Sequence, residues 1–375
     1  MKTGILKENF KQALNVVEKA AAKSATLPIL GAIAIVAKKN TLELSATDLE
    51  IGIRYKLLAK TEEHGGVVVP SRLFSQLIGV LSEQEINLTT SEGELVVKSK
   101  EQETSIKTLP LEEFPIIPSL QGEEQVIEIE TKTFCGGLAQ VVGMCGQNQT
   151  KPEISGVLLQ LKTNNIKLVA TDSFRLAEKT LVFDGPQHVE ASLILPQKTA
   201  KELISIFGDL PGTIKLYVSS TQALFDYSGK DVAGQPTLQI VSRLIEGEYP
   251  QYQDIIPKDF IAKVQVGRQE LISRFKAASV FSGKMQDVKI VPDPKKKGLE
   301  ISSQAADIGR HSSFLSAEVT GERLEISFNW RFLLEGLSNM KAEEVEIGFG
   351  GEDAPVVIRP LNKENYLYVV MPVKA

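Results

Sequence analysis

The sequence is poor in the residues that would staple, span or catalyse. Its 375 residues include only two cysteines, Cys135 and Cys145, so no disulfide framework holds it. They lie ten positions apart in a stretch that reads as one helix, nearly three turns, too far to bridge. They are expected to be buried free thiols, and the compartment reducing and cytoplasmic. No apolar run approaches the roughly 18 residues of a membrane span. The opening "MKTGILKENFKQALNVV" lacks the uninterrupted apolar stretch of a secretory leader. The three histidines, His64, His188 and His311, stand at no metal-ligand spacing from one another or from cysteine. A Gly-rich phosphate loop is missing, since "GKDVAG" (229–234) has the wrong order, and there is no Gly-x-Ser-x-Gly elbow. Carboxylate pairs such as Glu343 and Glu344 read as solvated surface. The expectation is a chain that is no enzyme and needs no metal or cofactor. A net charge of −5 and a pI near 5.6 argue against a surface that coats nucleic acid all round. They leave room for basic groups confined to one face.

What is present is a repeat. "LSATDLEIGI" (44–53) and "LVATDSFRLA" (168–177) lie 124 residues apart, each Ala-Thr-Asp between two alternating strand-like runs. Upstream of each is a helix-period segment in which Phe10, Leu14 and Val17 match Phe134, Leu138 and Val141. Downstream, "VVVPSRLFSQLIGVL" (67–81) matches "LILPQKTAKELISIF" (193–207), with proline at the strand–helix junction, where no N–H is needed. Asp48 and Asp172 suit a turn better than catalysis.

A third, weaker copy follows. "GRQELISRFKAASVFSGKMQDVKIV" (267–291) supplies a first helix with Leu271, Phe275 and Ala278. "GLEISSQAADIGRHS" (298–312) replaces the Ala-Thr-Asp strand pair without the motif, and "ISFNWRFLLEGLSNM" (326–340) supplies a second helix. At 42% hydrophobic and 24% charged, the chain is ordinary globular protein, too long for one core. The reading is three domains, 1–122, 123–249 and 250–375, joined through "FPIIPSLQGEEQ" (114–125) and "LIEGEYPQYQDIIP" (244–257). Runs such as "LELSATDLEIGIRY" alternate apolar and polar residues, which indicates antiparallel sheet with one wet face. The fold class is α+β, with more strand than helix.

Charge separates by element. With helices taken as 7–24, 70–83, 131–151, 196–209, 267–284 and 328–341, fifteen basic residues face seven acidic ones. That is +8 in the helices and −13 elsewhere. Any one helix is plainly explained as a solvated face; six biased together suggest a surface that attracts phosphate. On the first helix Lys7, Lys11, Asn15, Lys19 and Lys23 run at i+4 spacing opposite the apolar stripe. No sequence-reading module is present, so contacts of this kind would hold a nucleic-acid backbone and ignore its bases.

Taken in order, "TLPILGAI", "LSATDLEI", "VVVPSRLF", "LVATDSFRLA", "LIEGEYPQY" and "YLYVVMPVKA" closely resemble the bacterial sliding-clamp family, the beta subunits of DNA polymerase III. The resemblance covers the whole chain. It implies a head-to-tail homodimer of three-domain subunits whose six domains close a ring, helices lining the hole and sheets outside. Duplex DNA would be encircled without sequence preference and held by topology. Strong phosphate contacts would oppose sliding. The implied partners are the replicative polymerase, the clamp loader, repair and translesion polymerases and ligase, with no membrane. The competing reading is a repeat scaffold that binds proteins without forming a ring.

The resemblance also implies sites. A client-peptide pocket would draw on Ile154, Thr171, Ser173, Phe174, Arg175, Leu176, Pro250, Ile255, Met285, Asn329 and Phe332, with the tail residues Val369, Val370, Met371, Pro372, Val373 and Lys374. Aliphatic and Met side chains give an adaptable apolar slot, while Arg175 and backbone groups orient polar atoms. Core packing is the plain alternative for Phe174 and Leu176. The chain departs from the family pattern in Phe174 for a common His, Ser173 for Gly, Asp254 for a basic residue and Val-Lys-Ala at the end for Met-Arg-Leu. DNA contacts are expected from Lys11, Lys19, Lys23, Ser24, Arg72, Asn148, Gln149, Lys151, Lys198 and Lys201. Subunit closure is expected to bring the strand "ETSIKTL" (103–109), near Ile106, to Val280 and Phe281 of a second copy.

Overall fold

A computed structural model describes residues 1–23, 27–119, 125–147, 150–183, 185, 189–228, 237–362 and 364–373. Six α-helices occur among them: α1 Lys7–Val17, α2 Ser71–Val80, α3 Thr131–Val141, α4 Gln197–Phe207, α5 Arg268–Ser279 and α6 Trp330–Ser338. Each is shorter than the sequence suggests. The apolar period of α1 stops where Val17 passes into the 3-10 turn Glu18–Ala20, so Lys19 and Lys23 are not on that helix. Likewise α3 ends at Val141 and a 3-10 turn follows, Val142–Met144. Cys135 therefore sits in α3 and Cys145 beyond it, not in one helix; both are buried and free. At the proline junction, Pro70 occupies the cap position one residue ahead of α2.

Every ladder among the described residues is antiparallel, and the chain separates into two compact units. The first comprises residues 1–135, 187–189 and 201–244, the second 136–186, 190–200 and 245–375. Neither unit ends at 122 or 249, because the sheets run through the repeat joints. In the first unit, one sheet orders Gln125–Glu130, Thr213–Val218, Gln222–Tyr227, Leu238–Arg243, Ile51–Leu58, Thr41–Thr47, Ala32–Lys38 and Gly65–Pro70. Strands of the first and second repeats are neighbours there: Ile51–Leu58 pairs with Leu238–Arg243. A second sheet orders Lys60–Glu63, Lys2–Leu6, Glu85–Ser91, Glu94–Lys98 and Glu103–Lys107. Helix α1 buries Phe10, Ala13, Leu14 and Val17, and Phe10 meets Phe74 of α2 edge-on at 5.6 Å. Phe114 and Ile117 of the first joint pack over Leu224 and Val241, so that joint is pinned to the sheet.

In the second unit a nine-stranded sheet crosses the next joint. Its order is Ala191–Pro196, Gly156–Lys162, Asn165–Thr171, Arg175–Val182, Tyr366–Val370, Val356–Pro360, Glu344–Phe349, Ala262–Gly267 and Glu318–Gly321. A four-stranded sheet holds Gly309–Ser316, Gly298–Ala305, Asp287–Asp293 and Ile326–Asn329.

The repeat reaches single hydrogen bonds. Lys7 at the start of α1 donates through its ammonium to the Leu81 carbonyl. Arg268 at the start of α5 donates from Nε to the Ala342 carbonyl at 2.7 Å. These two cations each pin a helix start to the chain following the second helix.

Candidate functional site: a cation–aromatic cluster at the second Ala-Thr-Asp turn

Both Ala-Thr-Asp segments fold into the same turn. Asp48 Oδ1 accepts from the N–H groups of Glu50 and Ile51 at 3.0 and 2.9 Å; Asp172 Oδ1 accepts from those of Phe174 and Arg175, both at 3.0 Å. The preceding threonine hydroxyl closes the other side, Thr47 donating to the Ile51 carbonyl at 2.9 Å and Thr171 to that of Arg175 at 2.7 Å. The turn demands a left-handed residue, Leu49 at φ +75° and Ser173 at φ +77°. Glycine suits that conformation best, which accounts for the Gly that the family pattern places at 173.

The second turn carries functional groups that the first lacks. Its strand Arg175–Val182 starts beside the C-terminal strand, Arg175 opposite Val370 and Leu176 opposite Val369. The alternation of the strand then sorts the side chains. Leu176 is fully buried in a cluster with Leu158, Val169, Ile194, Tyr252, Val357 and Val369. Phe174, still in the turn, is 62% exposed. Leu176 is thus core, and Phe174 is not. Arg175 lies between, with 10% of its side chain exposed. Its Nε donates to Asp172 at 2.9 Å, its Nη1 is paired with Glu335 of α6, and its guanidinium carbon stands 4.4 Å from the Phe332 ring centre. Phe174 stacks on the same ring, 6.5 Å between centres and 25° between planes. Burial works to lower the Arg175 pKa, but Tyr368, Glu335 and Asp172 outweigh it and hold it above the ordinary value. The cation is therefore permanent.

The frame around the cluster is close-packed. Tyr368 donates to the Phe332 carbonyl at 2.8 Å, and its ring lies against Gly336, where a Cβ would come within 2.3 Å of it. That approach requires glycine. Asn329 caps α6, its side chain accepting from the Arg331 N–H at 2.9 Å. The tail is laid down by backbone bonds, Met371 N–H to the Phe174 carbonyl and Val373 N–H to the Ser327 carbonyl, each 2.8 Å.

Of the expected pocket residues, Ile154, Thr171, Leu176, Val369 and Val370 are buried. Ser173, Phe174, Pro250, Ile255, Met285 and Val373 are exposed, and Arg175, Asn329, Phe332, Met371 and Pro372 are half-buried. The bonds and ring contacts that knit the cluster leave out Ile255 and Met285. Lys374 lies outside the described residues. Sequence reasoning missed Glu335, Tyr368 and Gly336; the only available signal was their position one turn on from Phe332 and within the quoted tail.

The expected DNA contacts fall into three groups. Lys11, Lys23, Arg72 and Lys201 are exposed in the first unit, and Lys151 and Lys198 in the second. Lys19 is half-buried and engaged, hydrogen-bonded to the Ser205 hydroxyl and 3.9 Å from the Glu202 carboxylate. Ser24, Asn148 and Gln149 lie outside the described residues. Over the observed helices, ten basic side chains face four acidic ones, a surplus of six instead of eight. The sign of the separation stands. Of the expected interface residues, Ile106 is buried, Phe281 half-buried and Val280 64% exposed.

Three family profiles match the chain in sequence. The N-terminal domain of the DNA polymerase III beta subunit matches residues 1–118, the central domain 128–251 and the C-terminal domain 253–374. The chain belongs to the DNA polymerase III beta subunit family, the bacterial sliding clamps. It is 27% identical to the beta sliding clamp of Bacillus subtilis, over 100% of both chains. A crystal structure of the DNA polymerase sliding clamp from Bacillus subtilis aligns with TM-score 0.94 at 27% identity, covering 100% of this chain and 99% of that one. The DNA polymerase III beta subunit from Thermotoga maritima aligns at 0.89 and 28%, with the same coverage. The cluster at Arg175 belongs to a sliding-clamp fold, and no helix among its described residues is long and apolar enough to cross a membrane.

Proposed function

We propose that this chain is a non-catalytic DNA sliding clamp, two copies of which close head to tail around duplex DNA and tether a replicative polymerase. The ordered match of all three family domains over the whole chain carries the reading. Its domains are taken as 1–122, 123–249 and 250–375. The surplus of positive charge on the helices supports an inner face for phosphates, supplied by Lys11, Arg72, Lys198 and Lys201 on helices and by Lys23 and Lys151 in the chain beyond them, with Lys19 restrained by its own partners. A clamp loader, repair and translesion polymerases and ligase would share the pocket framed by Phe174, Arg175, Phe332 and the tail. An exposed aromatic beside a fixed cation fits a short peptide with one apolar anchor and polar backbone groups. The protein would work in the cytoplasm, at the nucleoid during replication.

Loading onto nicked circular DNA tests the ring. Protein on circles should be retained through a sizing column and lost when the circle is linearised. Equal loss from circle and line would reject enclosure.

A further inference from the structure

The turn between the second and third strands of each repeat is built differently in repeat three. Lys38 faces Thr41 and Lys162 faces Asn165, so the first two hairpins turn over two residues. In repeat three Asp293 faces Gly298, and the loop between them is Pro294, Lys295, Lys296 and Lys297. It is longer by two residues and carries three consecutive lysines, all exposed. Asp293 is buried and fixes the loop. Its Oδ1 accepts from the N–H groups of Lys295 and Lys296 at 2.9 and 3.0 Å, and its Oδ2 lies 3.7 Å from Nε of Arg323. Lys296 stands 3.8 Å from Glu300, an exposed pair of little strength. Among the described residues no ion pair engages Lys295 or Lys297.

An aromatic ring lies at the foot of this loop. Phe314, on the strand Gly309–Ser316, is 44% exposed. It sits opposite Glu300 and lies across Gly298, where a Cβ would come within 2.4 Å of the ring. The other face of the sheet is taken. Leu299 and Ile301 are fully buried there, and the Ser303 hydroxyl donates to the Ala278 carbonyl of α5 at 2.6 Å. Alternation turns Phe314 to the wet face, where Ser302 and Ser312 are its neighbours. A ring left in water beside lysines, with no apolar wall around it, suits a flat π-face better than an aliphatic side chain.

We propose that this loop and ring form a binding site for single-stranded nucleic acid, one base stacking on Phe314 and the flanking phosphates held by Lys295, Lys296 and Lys297. Both contacts ignore sequence. A duplex offers no free base face, so it gains only the charge. The site is separate from the Arg175 cluster. Asp287–Asp293 begins opposite Asn329, the cap of α6, and its other end, roughly 20 Å away, carries the loop. It also lies on the face of its sheet away from α5, so it is distinct from the helix lysines.

A fluorescein-labelled oligothymidylate and an oligouridylate of about 15 nucleotides, titrated by anisotropy into the full-length chain, test this. Binding of either through these residues supports the site, and their ratio assigns the strand as DNA or RNA. Lys295→Gln with Lys297→Gln should weaken binding about tenfold at low salt. It should also lower the slope of log affinity against log salt by about 1.4, the share of two phosphates on a single strand. Phe314→Leu should weaken binding about fivefold or more. Phe314→Trp keeps a ring on Gly298 and should bind at least as well as the parent. Ultraviolet cross-linking of the thymidylate complex should label the peptide that contains Phe314. Unchanged affinity in the double lysine variant overturns the proposal, as does equal affinity of the Phe314→Leu and Phe314→Trp variants. A duplex bound as tightly as the single strand, or cross-links confined to Phe174 and the helices, overturns it as well.

Discussion

The guanidinium of Arg175 stands 4.4 Å from the centre of the Phe332 ring while its Nε donates to Asp172 at 2.9 Å. One residue thereby joins the second Ala-Thr-Asp turn to α6, and the exposed Phe174 lies against the same ring. Removing the cation should weaken a client peptide held in the proposed pocket. Arg175→Ala is expected to weaken peptide binding at least tenfold, and Phe174→Ala about as much, with dimerisation unchanged for both. Titration by fluorescence anisotropy reads the affinity and sedimentation the dimer. Full affinity in Phe174→Ala would place the peptide elsewhere.

Asp172 has two tasks that can be separated. Its Oδ1 holds the turn and its Oδ2 holds Arg175. Asp172→Asn keeps an oxygen for the turn and gives up the ion pair, so peptide binding should fall with little loss of stability. Asp172→Ala loses both, and about 1 kcal/mol of stability should go with the two unmet N–H groups. Equal unfolding midpoints for the two variants would show that the turn needs no side-chain acceptor.

Leu176 is one residue beyond Arg175 and belongs wholly to the core. Leu176→Ala should cost about 2–5 kcal/mol through lost contacts and a residual cavity. Urea unfolding measures this. A loss under 1 kcal/mol would mean the cluster around Tyr252 and Val369 collapses into the space.

Glu364 ties α3 to the approach of the C-terminal strand. It accepts from Gln140 at 2.5 Å and from Lys179 at 3.2 Å. Burial works to raise its pKa, but those bonds outweigh burial and hold it below the ordinary value of 4.5. A lowered value in the folded state means that its stabilisation is complete above the ordinary one and is lost as pH falls through the lowered one. Glu364→Gln should therefore be less stable at pH 6, with the difference shrinking towards pH 3. A difference that stays constant across that range would assign the effect to packing alone.

Burial pushes the Cys135 thiol up to about 12, so almost no thiolate exists at neutral pH. Alkylation at pH 8 should be negligible in the folded protein and rapid in urea. Fast labelling of native protein would require α3 to open locally.

Much of this was legible in the residues themselves. The threefold repeat, the helix stripes of Phe10 and Phe134 and the turn-forming aspartates all rest on short-range chemistry. Periods of two and 3.6 and the preferences of Asp and Thr act within a few residues. Helix ends were less legible: Lys19 and Lys23 keep the i+4 spacing after the chain has left α1, because charge spacing does not hold a helix together without an apolar face to bury.

The sequence by itself determined that three similar units fold, where each bends, and which side of each strand is wet. Only the tertiary structure decided which strands of different repeats become neighbours, that Phe174 stays outside while Leu176 goes in, and that Arg175 takes Glu335, 160 residues away, as its second acid. Alternation specifies the parity of a strand and is silent about its neighbour. That choice is made by the shape and burial of whole sheets, which no local pattern contains.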